Sequence, residues 1–391
     1  MPRSNPERRR DLRWRGALDA LAVIRREPGI TRAELARRAG LSSGSATEIA
    51  ARLRELDLLV EAPAPVTGRG RPTTVLAAHP RGPLVLAVDL RHEDWRMAVG
   101  AVDGSLADAG AGRHRRRDPG TVLDALGSAI AFVLATYRER VRIVSVAVAG
   151  VVQEHELMQA ASMRWGNVDL RSLVRGATVP LIAGNDATLA GVAEARGGAG
   201  ANARAVLHLI VEVGIGGILV VGGQPVIGAT GAAGEFGHVP FGDSRLRCPC
   251  GARGCWDLLV DGRALARHLG EPAPANARTY ARAVIDRARR DPAARRAVAS
   301  CAAALGRGVA GLVNALDPDR VTLGGLAIPL HRTATRAFRT AYRSGLMAFR
   351  RKAPPEVRPA FHGEDGALHG AAEVGMDRIL TDDGLASWAE R

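Results

Sequence analysis

Lysine is almost missing from this chain of 391 residues: Lys352 is the only one, and the remaining basic side chains among the 54 are arginine. A GC-rich genome imposes such a bias, so the net charge of +14 admits a polyanionic partner without identifying one. Cysteine is scarce as well. Four are present, three of them packed between Cys248 and Cys255, which excludes a disulfide framework and points to metal. A secretory leader is not evident, because Met1 to Arg15 is densely charged and no apolar segment follows its arginines. The expected location is cytoplasmic. Ala205 to Gly223, the most apolar stretch in this reading, is broken by His208, Glu212 and several glycines. It therefore reads as buried strands, with no membrane association expected. Hydrophobic residues at 47% and charged residues at 24% are the balance of a globular protein, and the length calls for two or three domains.

Positive charge is concentrated at the N-terminus. Residues 1–80 hold 15 arginines against 9 acids, whereas residues 81–391 hold 39 basic against 31 acidic side chains. From Gly16 to Val60 the apolar residues recur with helical period. Ala17, Leu21 and Ile24 face one way until Pro28-Gly29 stops the helix. Thr31 with Glu34 three residues on predicts a capping box for a second helix. Gly40-Leu41-Ser42 predicts a turn. A third helix should then bury Ala46, Ile49, Leu53 and Leu56 and present Ser42, Ser43, Ser45, Thr47 and Glu48 at its N-terminal end. Leu58 to Leu76 reads as a wing, with Gly68-Arg69-Gly70-Arg71-Pro72 near its tip. Glycine there lets the backbone approach a phosphate or a narrow minor groove, where arginine is favoured. Residues 1–80 are thus expected to form a winged helix-turn-helix that binds DNA through Ser42, Ser43, Ser45, Thr47, Arg69 and Arg71.

Beyond about Pro83 strands and helices alternate. Leu84 to Leu90, Trp95 to Val102 and Val141 to Val152 read as strands, Thr121 to Arg138 as a helix, and Asp103-Gly104 as a hairpin turn. This is an α/β domain, in which ligands sit at the carboxyl ends of strands. Leu181-Ile182-Ala183 leads to Gly184-Asn185-Asp186 and then a helix, which places Asp186 at such a position. The same pair could serve simply as a helix N-cap. A glycine-rich turn follows at Val213 to Ile218, then Gly234-Glu235-Phe236-Gly237-His238, then Cys248-Pro249-Cys250-Gly251-Ala252-Arg253-Gly254-Cys255-Trp256-Asp257. Three thiolates and one imidazole from His238, Cys248, Cys250 and Cys255 match a closed structural zinc site; three free buried cysteines are the alternative. Cys301, on an alanine-rich helical stretch, is expected to pack in the core.

These motifs make the chain similar to the ROK family (repressors, open reading frames and kinases), and to its winged-helix repressor branch. The resemblance implies residues 81–391 as an actin-like, sugar-kinase-like pair of lobes that binds a sugar effector and oligomerises as a homodimer or dimer of dimers. It implies sugar contacts at Asn185, Asp186, Glu235, His238 and Asp257, with Asp186 matching the base of the kinases. His238 would hold zinc through one ring nitrogen and face the sugar with the other. Asp257 stands where the family pattern has glutamate.

Family kinases carry Asp-x-Gly-Gly-Thr after the first strand, where glycines admit the nucleotide phosphates. This chain has Asp89-Leu90-Arg91-His92-Glu93 instead. Bulk and negative charge at that turn predict loss of ATP binding, even though Gly214, Gly216, Gly217 and Gly324-Gly325 match the other nucleotide segments. The leading expectation is a sugar-responsive repressor of carbohydrate uptake or catabolism genes, without catalysis. The alternatives are an active sugar kinase carrying a DNA-binding arm, and a regulator controlled by a partner protein.

Overall fold

The apolar spacing and caps at the N-terminus produce three helices, α1 (Pro6–Arg26), α2 (Arg32–Arg38) and α3 (Ser43–Glu55), followed by strands β1 (Leu59–Pro63) and β2 (Thr74–Ala78). The computed structural model describes residues 6–64, 74–114, 118–160 and 163–390, with side chains from residue 14 onward. The capping box at α2 is formed as expected. Thr31 Oγ1 accepts from the Glu34 N–H at 3.2 Å, and Glu34 accepts from the Thr31 N–H at 2.9 Å. On α3 the fully buried positions are Ala46, Ala50 and Leu53, with Ile49 and Leu56 only partly buried. Helical pitch turns Ala50 more squarely inward than either larger neighbour. β1 and β2 pair antiparallel from Leu59–Ala78 to Pro63–Thr74, which gives the wing its two strands. Arg69 and Arg71 lie outside the described residues.

The chain packs as two units. One comprises Met1–Ala147, Asp169–Ala183 and Ala371–Arg391; the other comprises Val148–Val168 and Gly184–Gly370. In the first, β3 (Leu84–Leu90), β4 (Asp94–Gly100) and β5 (Leu106–Arg113) form an antiparallel meander. Helix α4 (Pro119–Tyr137) precedes β6 (Val141–Val148), and with β10 (Leu181–Asn185) the sheet order is β10-β6-β3-β4-β5. The strand expected to run through Val152 ends at Val148, because Ala149-Gly150 breaks it before β7 (Val151–Gln153). β7 begins a small sheet with β8 (Glu156–Ala160) and β9 (Trp165–Asp169).

Helix α5 (Asp186–Gly197) leads into the second five-stranded sheet: β11 (Ala205–Val211), β12 (Ile215–Val221) and β13 (Gln224–Pro225), later joined by β14 (Arg320–Gly325) and β15 (Glu356–Pro359). Its order, β15-β14-β11-β12-β13, repeats that of the first sheet. α6 (Gly262–Leu269), α7 (Ala277–Arg287), α8 (Pro292–Leu316), α9 (Ala327–Thr333), α10 (Thr335–Gly345) and α11 (Ala348–Lys352) complete this unit. α4 and α8 are long and apolar enough to cross a membrane by composition alone. α8 is nevertheless the centre of a core that includes Trp256, Phe338 and the buried Cys301.

The winged helix is not a separate bead. Trp14, Leu21, Ile24, Leu35 and Leu53 share one hydrophobic core with Val85, Ile143, Met376 and Leu385, the last two on α12 (Gly366–Ile379) and α13 (Asp382–Ala389). Arg25 binds Glu373 at 2.6 Å and Asp377 at 2.7 Å with its own side chain only 9% exposed. Trp388 donates through Nε1 to the Leu56 carbonyl at 2.7 Å. Burial opposes the charge of Arg25, but the two carboxylates outweigh it and its pKa lies above the usual arginine value.

Candidate functional sites

Ser42 terminates its turn in extended backbone and caps α3, its hydroxyl accepting from the Ser45 N–H at 3.0 Å. Ser42, Ser43, Ser45, Thr47 and Glu48 are all exposed there. Thr47 donates to the Ser43 carbonyl at 2.8 Å, which fixes its rotamer on the helix. The first turn of α3 is thus an uncluttered polar end of the size a major groove admits.

In the second unit, β10 delivers Asn185 and Asp186 to the start of α5. Asn185 caps the helix by accepting from the Thr188 N–H at 3.0 Å, and its Nδ2 donates to the Gly150 carbonyl at 3.0 Å. The simple capping role is therefore realised. Asp186 accepts from the Ala187 N–H at 2.8 Å, and desolvation raises its pKa above the usual carboxylate range.

His238 faces two ways. Its Nδ1 lies 3.7 Å from Cys248 Sγ, while its Nε2 lies 3.6 Å from a Glu235 carboxylate oxygen. Ligand atoms from His238, Cys248, Cys250 and Cys255 all fall within 4.8 Å of one another. The loop closes because Cys248 N–H donates to Ala252 O at 2.9 Å and Gly251 N–H to Cys248 O at 3.0 Å, with Gly251 at φ 99° and Gly254 at φ 71°. Burial pushes the Cys255 thiol up to about 12. Only a bound cation would favour its thiolate near neutrality. Three sulfurs and an imidazole at this spacing suit one four-coordinate ion.

Asp257 has a position more structural than its matching suggested. One oxygen accepts from the Ile215 N–H at 2.6 Å and so pins the glycine-rich turn between β11 and β12. The other lies 3.9 Å from His238 Nδ1. A side chain at Gly214 would begin 2.7 Å from that carboxylate, so the turn needs glycine for contact. Burial raises the pKa of Asp257, and burial first, then Asp257 and Asp186, does the same to Glu235 against the pull of His238.

Glu212 was not among the expected site residues. It follows β11 directly, and its pKa is raised to about 7 by burial, with Glu364 and Asp186 adding to the rise and Arg278 and Arg282 opposing it. Its Oε2 lies 2.5 Å from Arg278 Nε, and Arg278 also binds Glu364 at 3.0 Å. The available signal was a lone acid closing an apolar strand immediately before a glycine-rich turn. At the other turn, Arg91 folds back to Asp94 at 2.6 Å and stands 3.7 Å from the buried Asp89. The first strand therefore passes into a hairpin tied by its own side chains rather than into an open backbone cradle.

A ROK family model matches residues 85–377, and a MarR family model matches residues 11–70. The glucokinase of Streptomyces coelicolor is 27% identical over 321 residues, covering 75% of this chain and 98% of the kinase. Among solved structures, a ROK family transcriptional regulator, a homologue of the Escherichia coli MLC protein, superposes with a TM-score of 0.73 at 20% identity, covering 95% of this chain and 98% of that one. A ROK glucokinase from Streptomyces griseus in complex with glucose and AMPPNP gives 0.64 at 24% identity, covering 75% and 99%. The kinases thus account for three quarters of the chain, and the fold shared with the regulator extends over nearly all of it.

Proposed function

This chain belongs to the ROK family, and from that premise we propose that it is a DNA-binding transcriptional regulator, residues 1–80 contacting operator DNA and residues 81–391 binding a sugar. The observation that carries the reading is the joining of a winged helix, with an exposed polar first turn on α3, to a sugar-kinase-like domain. Asp186, Glu235 and the Nε2 side of His238 supply the acceptors and donors that vicinal hydroxyls need. Asn185 and Asp257 hold the backbone on which that set rests, besides any direct contact they make. Repression of carbohydrate uptake or catabolism genes, a cytoplasmic location and assembly as a homodimer or dimer of dimers complete the proposal.

The kinase reading has support in the identity to glucokinases. Against it stands the self-tied turn at Asp89–Asp94, which puts charge and bulk at a turn where nucleotide phosphates need backbone N–H groups. His238, Cys248, Cys250 and Cys255 would hold a zinc ion. When bound, such an ion supplies the positive charge that keeps three thiolates together, and four protein ligands leave no open position for catalysis. The test is selection of duplex DNA from a random library by the full chain. Enrichment of a sequence with paired half-sites is expected of a dimeric helix-turn-helix protein, and recovery of no preferred sequence would remove the regulator reading.

A further inference from the structure

We propose that Glu212 selects the effector: the site takes a sugar that is unphosphorylated at the hydroxyl facing Asp186, either neutral or amine-bearing, and rejects its phosphate ester. The inference rests on the sugar-binding reading above and narrows it.

Glu212 sits at the carboxyl end of β11, beside the end of β14, where Val211 pairs with Gly325. A Cβ on Gly325 would stand 2.6 Å from Glu212 Oε1, so only glycine leaves room for the carboxylate there, and Gly325 has φ 56°. Across from it, Arg278 of α7 approaches Oε2 at 2.5 Å without hydrogen-bond alignment, and Glu364 engages both Arg278 and Arg282. Charge holds this cluster. The two guanidinium groups near Glu212, those of Arg278 and Arg282, are already engaged by the two carboxylates Glu212 and Glu364, so each meets a phosphate with its charge already paired.

The turn that Glu212 opens packs against the start of α5, where a Cβ on Gly216 would stand 2.8 Å from Ala187 Cβ, and the charge of Asp186 there disfavours that of Glu212. A sugar hydroxyl at Asp186 is compatible with this, since a buried carboxyl can accept or donate to it. A phosphate on that hydroxyl would bring about two negative charges to Asp186, whose charge already opposes those of Glu212 and Glu235. An ammonium group would be favoured by the same field.

The test is a thermal-shift and calorimetric comparison of the full chain at pH 8, where Glu212 is charged, with common hexoses, pentoses and amino sugars, each beside its own phosphate ester. Inorganic pyrophosphate serves as an anion probe. The expected result is a shift from one free sugar, binding of its ester weaker by about tenfold or more, and no pyrophosphate binding. Glu212→Gln removes the charge and releases Arg278, and should bring ester and free sugar to within a few fold of each other and admit pyrophosphate. An ester bound as tightly as its free sugar by the parent would overturn the role of Glu212 while leaving a sugar-responsive protein intact. No shift from any sugar in parent or variant would overturn the sugar reading itself. If Glu212→Gln does not fold, the parent's own comparison of ester with free sugar decides.

Discussion

Glu212 makes a pH signature that its neighbours sharpen. Its pKa of about 7 in the folded chain lies above the ordinary value of 4.5, so the folded state keeps a proton that the unfolded state has lost. The stability it contributes is therefore fully present below pH 4.5 and is lost as pH climbs through about 7. Arg278, Arg282, Glu364 and Asp186 are the charged groups around it. Glu212→Gln should remove that component, so denaturant unfolding at pH 5.5 and pH 8 should differ less in the variant than in the parent; an equal difference would show that the group does not titrate there. The cysteines make a second residue-scale prediction. Cys250→Ser with Cys255→Ser halves the ligand set, and elemental analysis should fall from about one zinc per chain to a small fraction of that. Full retention would place any ion elsewhere.

Among the elements, α12 has the most consequential ties. Its C-terminal half holds Arg25 of α1 through Glu373 and Asp377, and at its start Gly370 approaches the Leu189 backbone of α5 too closely for any side chain. α5 is the helix that begins at Asp186. Arg25→Ala leaves two carboxylates facing an apolar core and should cost roughly 2–3 kcal/mol, less than a fully buried pair because Asp377 is 40% exposed. Chemical denaturation measures this, and a change below about 0.5 kcal/mol would reduce the pair to a surface contact. At the wing, Arg69→Ala with Arg71→Ala should flatten the slope of log K against log salt for operator binding by roughly 0.9 for each lost phosphate contact. An unchanged slope would defeat the assignment of these arginines.

These elements also show what was legible from sequence. Caps and periodicity were: Thr31 with Glu34, Ser42 before α3, and the strand-to-helix step at Asn185-Asp186 are local patterns, each of which forms a local hydrogen bond. The His238 and cysteine group was legible because one short loop contains three of its four ligands. Ala50 in place of Ile49, the break after Val148 and the shared core of Trp14 with Met376 were not. They depend on pitch, on which strands become neighbours, and on contacts hundreds of residues apart. Glu212 was not legible either, because its setting is made by Arg278 and Asp186, neither of them near it in sequence.

At the scale of the whole molecule the central claim is coupling. Sugar binding can alter DNA affinity only if the DNA-competent and incompetent states bind the sugar unequally, and a hundredfold release of DNA requires about 2.7 kcal/mol of coupling. Several hydroxyl hydrogen bonds made in one state only suffice for that. Asp186→Asn should keep the fold and the unliganded affinity while reducing the response. The decisive measurement is the affinity of the full chain for its selected operator with and without the sugar that stabilises it, with ATP consumption followed in the same solution. The account predicts a sugar-dependent change in operator affinity, diminished in Asp186→Asn, with no ATP turnover. Unchanged operator affinity together with ATP turnover that Asp186→Asn abolishes would contradict it and make the protein a kinase.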